Sequence, residues 1–355
     1  MPFLPTDNTV ELLTFLWLGM PIWIWLAFIT TVLLILAFDL GILHREAHEI
    51  GVKESLWLSG LYIGLGLLWT VAGWWIYYHY GSQKAIDPQI ANLPTSEAKA
   101  WEAVKLYLTG YVLEKALAMD NVFVISMIFT YFAVPRIYQH RVLFWGILGV
   151  IVLRGIMIGL GAALVMNFAW ILYVFAVILI ATGVTMIYSV NDVPDIANNR
   201  ILKFFQGRMR LTDKLHGQRF FVKQPDASGK LLWFATPLFL CLMLVEIADV
   251  VFAIDSVPAI FAITPDPFIV FTSNIFAILG LRALYFALAA MVHRFHYLKY
   301  ALAIVLIFIG SKIFVGDWLF GGKVPAEISL GVTFSLLVGG VLFSLWKSRN
   351  TEATP

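Results

Sequence analysis

The sequence predicts an all-α, polytopic membrane helix bundle of about nine transmembrane helices, containing two three-helix repeats in inverted orientation. Composition, apolar run length and a duplicated motif predict it. Of 355 residues, 61% are hydrophobic and 13% charged, whereas soluble domains are roughly 45–50% apolar and 25% charged. Crossing the hydrocarbon core takes about 20 apolar residues. Runs of that order fall at roughly 20–43, 55–79, 104–131, 141–163, 168–190, 233–262, 268–291, 298–320 and 327–347.

Residues 1–100 hold the first two spans and a polar extracytoplasmic loop with Pro88 and Pro94. No Lys or Arg precedes Arg45, while Asp7 and Glu11 do. That is not the basic start of a cleaved signal, so the first run is read as a retained helix. Trp17, Trp23, Trp25, Trp74 and Trp75 lie near span ends as an interfacial belt. Residues 101–190 form the first repeat, 233–320 the second, and 321–355 the last span and tail. Between the repeats, 191–232 is a basic loop with Arg200, Lys203, Arg208, Arg210, Lys214, Arg219, Lys223 and Lys230. It is expected to be cytoplasmic, with some helix and a solvated charged face.

Basic residues set the orientation, because cytoplasmic connections are enriched in Lys and Arg. Alternate connections on one side carry sixteen of them and the opposite side three, Lys84, Lys99 and Lys323. With nine spans the N-terminus is outside and the C-terminus cytoplasmic. The bilayer is the expected surrounding, and nothing in the charge pattern calls for nucleic acid.

The repeat shows in Asp120-Asn-Val-Phe-Val-Ile-Ser over Asp249-Val-Val-Phe-Ala-Ile-Asp. Arg154 follows Asp120 by 34 residues, Arg282 follows Asp249 by 33, and Gly183 matches Gly310. Three spans per unit reverse the second copy, and inverted repeats commonly hold substrate near the midplane between the units.

A carboxylate at membrane depth costs about 2.5–3.5 kcal/mol on insertion scales, and such groups usually mark function. The candidate ligands are Glu114, Asp120, Asn121, Glu246, Asp249, Asp255 and Ser256. Glu246 and Asp249 share a helix face at i and i+3. Asp255 falls on the far side, but Pro258 removes a backbone donor, so a kink with freed carbonyls is expected there. An all-oxygen set suits Mg, Ca and Mn, while imidazole and thiolate favour Zn, Cu and Fe. His44, His48, His140, His293 and His296 lie in loops or at span ends, and Cys241 is the only cysteine, in an apolar run. The acids could instead pair with Lys115, Arg154, Arg282 and Lys312, but apolar residues would hold a bundle equally well. Arg154 and Arg282 are expected to orient the carboxylates or neutralise them when no ion is bound. Met119 and Met243 are read as packing.

Three motifs make the chain resemble the TerC family of bacterial integral membrane proteins, and within it the alkali-induced Alx branch. They are Phe38-Asp-Leu-Gly-Ile-Leu-His-Arg45 followed by Lys53-Glu-Ser-Leu-Trp57; Glu114-Lys-Ala-Leu-Ala-Met-Asp-Asn121; and Glu246-Ile-Ala-Asp-Val-Val-Phe-Ala-Ile-Asp-Ser-Val-Pro-Ala259. The match runs from about residue 20 to 345. The resemblance implies a divalent-metal function, chiefly Mn(II) export, with older associations to tellurium resistance and redox modulation. It also gives weight to Asp39. Lys312 has Thr185 at the corresponding position of the first copy, so a lysine role there is not duplicated.

The resulting expectation is a secondary transporter exporting a divalent metal, Mn(II) on the resemblance, by alternating access through midplane carboxylates. Protons are the candidate counter-ion, and no tightly bound cofactor is expected. Asp120, Asp249, Asp255, Glu114, Glu246, Asn121 and Ser256 would face the metal, with Arg154, Arg282, Lys312 and Asp39 in support. An enzyme is not expected, since the chain has no His-Glu-x-x-His, Cys pair or Gly-rich nucleotide loop. The alternatives are a redox modulator and a metal-sensing scaffold.

Overall fold

The computed structural model describes residues 13–39, 51–81, 86–188, 200–225, 230–289, 297–319 and 324–352. Residues 40–50, with His44, Arg45 and His48, lie outside the described residues, as do Lys84, 189–199, His293, Arg294, His296 and Lys323.

A two-residue hairpin, β1 (Leu16–Trp17) and β2 (Met20–Pro21), precedes α1 (Ile22–Phe38). There follow α2 (Val52–Tyr80), the one-turn α3 (Pro88–Ala91), α4 (Ser96–Tyr131), α5 (Arg136–Asn167) and α6 (Ile171–Tyr188). The basic loop contains α7 (Arg200–Arg208) and an antiparallel hairpin, β3 (Phe221–Pro225) with β4 (Leu231–Ala235). The second half continues with α8 (Pro237–Ile263), α9 (Pro267–Leu279), α10 (Leu281–Ala289), α11 (Leu298–Leu319) and α12 (Ala326–Glu352).

The bundle is a helical membrane protein, and the spans differ from the apolar runs in ways that have physical causes. Among the described residues six helices are long and apolar enough to cross a membrane, α2, α5, α6, α8, α11 and α12, and α9 with α10 makes a seventh if the bent pair is one span. Of the nine expected, α1 covers 17 described residues. The 36 residues of α4 include Glu114, Lys115 and Asp120, which lower its apolarity. It can carry them because it packs against α2, α8 and α9. The run expected from 233 begins as strand, with Trp233 and Ala235 in β4. Large apolar side chains on the outer faces remain exposed, as at Leu34, Leu68, Leu160 and Leu342, which suits lipid contact.

The short α9 is the centre of the bundle. Twelve of its 13 residues are buried, as expected for a helix enclosed on all sides. It packs on α2, α4 and α5, and α1 adds Trp25 and Phe28 edge-on to Phe268. The chain bends by 54° between α9 and α10, next to Gly280. The Ala277 carbonyl at the end of α9 finds a donor on α4, Lys115 Nζ at 3.0 Å, and Ser55 Oγ on α2 donates to Ala283 O in the first turn of α10. Lys115 also complements the negative end of the α9 dipole. Pro258 lies inside α8, which stays helical from Pro237 to Ile263, and the 54° break of the second half falls at Gly280, between α9 and α10.

Helices α6 and α11 make the most extensive pairing of the bundle, and they do so through matched glycines. A Cβ on Gly183 would lie 2.7 Å from both Ala303 O and Ile307 Cγ1; one on Gly310 would lie 2.7 Å from Ala176 O and 2.9 Å from Ile180 Cγ1. The contact is reciprocal, as a two-fold relation between helices produces.

A polar knot joins the loops at the end of the bundle where α8 turns into α9. Thr264 Oγ1 donates to Asp87 Oδ2 at 2.6 Å and accepts from the Asp266 amide at 3.1 Å. Asp266 caps α9 by accepting from the Phe268 and Ile269 amides. Burial raises the Asp266 carboxyl from 3.8 to about 6, with Tyr77 and Asp87 beside it. Its folded-state value lies above the unfolded one, so its stabilising contribution is complete below about pH 4 and declines until about pH 6. The swing is about 3 kcal/mol. Thermal unfolding in detergent should therefore show a midpoint falling between pH 4 and 6, and Asp266→Asn, which keeps a capping oxygen, should flatten that slope. An unchanged slope in the variant would remove Asp266 as its source.

Candidate metal-ion site

Helix α5 brings Arg154 to the middle of the bundle, where it is 1% exposed. An isolated guanidinium there would be prohibitively costly, so its donors must be met. Nη1 reaches Glu114 Oε1 at 2.6 Å, Ser256 Oγ at 2.7 Å and Asn274 Oδ1 at 2.8 Å, and Nε reaches Asp249 Oδ2 at 3.4 Å. One cation thus ties α4, α8 and α9 to α5. Asn274 is held from behind by its own Nδ2–H on Val270 O at 2.9 Å.

The arrangement is not saturated. Glu114 is fully buried, yet Oε2 has no hydrogen-bond partner. Buried polar atoms are nearly always paired, so such an oxygen marks a place for an ion, a water or a proton. Glu114 lines a cavity of about 370 Å³, shared with Asn121, Arg154, Thr182, Thr185, Phe252, Asp255 and Ser256. Asp255, half-buried, accepts from Thr182 Oγ1 at 2.8 Å. A smaller space of about 30 Å³ adjoins Asp249. Asn121 and Phe252 border both, so they lie between the two acids.

Glu114, Asp249 and Ser256 therefore meet through Arg154, and Asp255 and Asn121 face the same cavity. Glu246 stands apart from this group: its side chain lies against the backbone of Gly149, and Oε2 is buried without a partner. Lys312 Nζ reaches Ser329 Oγ at 3.1 Å, tying α11 to α12. Asp39 is buried at the C-terminal end of α1. The side chains of Asp120 and Arg282 lie outside the described residues. Among the described residues, no three His, Cys, Asp or Glu side chains are close enough together to hold a metal. As it stands, the site is a carboxylate set closed on an internal guanidinium.

Sequence reasoning missed Asn274, Thr182 and Phe252. Thr272-Ser273-Asn274 is a polar triplet within an apolar run, and that was a readable signal. Thr182 gave none, because hydroxyls on apolar helices commonly bond their own backbone.

The TerC profile, described as an integral membrane protein family, matches residues 99–352. A membrane protein of Rickettsia felis without an assigned function is 46% identical over 321 residues, 90% of this chain and 97% of its own. Proteins of Shigella flexneri and Salmonella typhi with the provisional name membrane-bound redox modulator Alx are 43% and 42% identical. These alignments cover 92% and 94% of this chain, and 96% and 97% of theirs. No solved structure matches. With a family match over most of its spans and relatives aligned nearly end to end, the chain belongs to the TerC family of integral membrane proteins.

Proposed function

We propose that the chain is a secondary transporter that exports a divalent metal ion, Mn(II), from the cytoplasm by alternating access. The observation that carries this reading is the fully buried Glu114 carboxylate, with one oxygen on Arg154 and the other unpaired, on a residue that lines a cavity with Asp255. An ion pair kept only for stability would close on itself, whereas this one leaves a carboxylate oxygen unpaired on a residue that lines a cavity. The oxygen donors suit a hard cation.

In this reading Arg154 is a tethered counter-cation. It neutralises Glu114 and Asp249 in the absence of metal, and a divalent ion entering the cavity competes for the same oxygens. The positive charge displaced keeps the total within bounds that a low-dielectric interior tolerates. Movement of one three-helix unit against the other would draw Asp255, Asn121 and Asp249 toward a common point and expose them alternately. Protons arriving at the carboxylates from outside would expel the ion, because a protonated carboxyl is a poor ligand. In this reading the basic loops are cytoplasmic, with the C-terminus inside and the chain in the inner membrane, in keeping with the enrichment of Lys and Arg in cytoplasmic connections.

The decisive experiment measures cell-associated Mn after a Mn load, in cells lacking their own Mn exporters. The intact protein should lower cell Mn, and Asp249→Asn should not, with both present in the membrane. Equal Mn in cells with and without the intact protein would overturn the reading. The relatives' name favours a second reading, a redox modulator. The lone Cys241, fully buried, weakens it, since thiol–disulfide exchange within one chain needs two thiols. Cys241→Ser should leave Mn efflux intact and would abolish a thiol-based activity.

A further inference from the structure

The basic loop, expected from its charges to be a solvated face, carries something more specific. In the β3–β4 hairpin, Phe221 pairs with Ala235, Lys223 with Trp233 and Pro225 with Leu231. Residues of such pairs share a face. This face leaves Phe221, Trp233 and Leu231 exposed, at 45%, 62% and 68%, which water alone does not explain for three large apolar groups side by side.

The location of the hairpin supplies the reason. Strand β4 ends at Ala235, and α8 begins at Pro237. Thr236 fastens the joint, with its amide on Phe220 O at 2.9 Å and Oγ1 on Arg219 O at 2.8 Å. The 27 residues of α8 span about 40 Å, more than the roughly 30 Å of the hydrocarbon core. The hairpin therefore leaves the membrane at headgroup level, with almost no tether between strand and span. Aromatic rings with one polar edge favour this zone, and lysine stems lie along it.

Next to this face is a built recess. The cleft, about 760 Å³, is lined by His216, Arg219, Lys223 and Gln224 together with Phe221 and Trp233. Gln224 Nε2 and His216 Nε2 are 3.1 Å apart, which steadies the imidazole. Lys223 Nζ lies 5.0 Å from the Trp233 ring centre. Among the described residues no carboxylate pairs with Arg219 or Lys223. Two cations without a carboxylate partner among the described residues and an imidazole converge beside an apolar face at headgroup depth.

We propose that this cleft seats the phosphate of an anionic phospholipid headgroup. Arg219 and Lys223 take the charge, His216 adds a directional contact, and Phe221, Trp233 and Leu231 rest at the boundary between headgroups and acyl chains. The lipid thereby clamps the base of α8, the helix that carries Asp249 and Asp255, to one leaflet. A surface site for soluble phosphate would need the cations but not the three exposed apolar groups.

The test uses the full-length protein in neutral detergent, titrated with phosphatidylglycerol, phosphatidylcholine or soluble glycerol phosphate. Bound lipid is counted by native mass spectrometry and the unfolding midpoint is followed in parallel. Phosphatidylglycerol should bind and raise the midpoint, phosphatidylcholine should do neither, and Arg219→Gln with Lys223→Gln should weaken the binding about fivefold per charge removed. Trp233→Ser should weaken lipid binding while leaving the lipid-free midpoint unchanged, which reports an intact fold. Undiminished phosphatidylglycerol binding by the double variant would overturn the site. An equal gain from glycerol phosphate would overturn the lipid assignment in favour of a free-phosphate site.

Discussion

Arg154→Met is expected to destabilise the bundle by about 3–5 kcal/mol, the cost of leaving buried carboxylates without their cation. Arg154 contacts Glu114, Asp249, Ser256 and Asn274, so its loss strands two acids and two polar groups at once. Methionine has a similar length and fills the space, which confines the effect to charge. The triple variant Arg154→Met, Glu114→Gln, Asp249→Asn should recover most of the loss, because neutral amides of the same shape need far less compensation. It should nevertheless export no Mn. Unfolding in detergent gives the first comparison and Mn efflux the second. A single variant as stable as the intact protein would show that the guanidinium is not neutralising the pair. A triple variant that still exported Mn would remove these carboxylates from the transport path.

Gly183→Val and Gly310→Val should each cost about 1–3 kcal/mol, as overpacked positions do. In both, the added Cβ meets a backbone carbonyl of the facing helix at 2.7 Å, and backbone gives way only if the whole helix moves. The two losses should be less than additive, since one substitution already separates α6 from α11. Gly159→Ala is the control. Nothing lies within 4 Å of its Cβ position, and alanine is the better helix former, so this change should be neutral or slightly stabilising. Equal losses at all three positions would mean that the cause is general helix perturbation and not the α6–α11 contact.

The membrane class, the extent of most helices and the ionisable residues buried among them were legible in the sequence. Each of these follows from local composition: run length against bilayer thickness, and carboxylates where none should be without a reason. Glu114 and Asp249 could be named because a buried charge stands out in an apolar run, and Ser256 because it follows Asp255 in the same motif. Spacing along one helix could not say which acids would meet. Asp249 and Glu246 share a face of α8, yet Asp249 turns to Arg154 while Glu246 lies against Gly149. That choice depends on where along α5 the cation and the bare backbone lie.

The break in the second half makes the same point. Pro258 is the visible breaker, but α8 runs through it, since a helix can lose one backbone hydrogen bond and remain packed. The bend falls instead at Gly280, where Lys115 and Ser55 donate to the Ala277 and Ala283 carbonyls. By itself the sequence determined which residues carry charge into the membrane and that lipid must surround the rest, because both depend on residue type and run length. Only the tertiary structure decided that Arg154 gathers Glu114 and Asp249 while Asp255 lines the open cavity, because partners 40 and 95 residues away in the chain are chosen by helix packing.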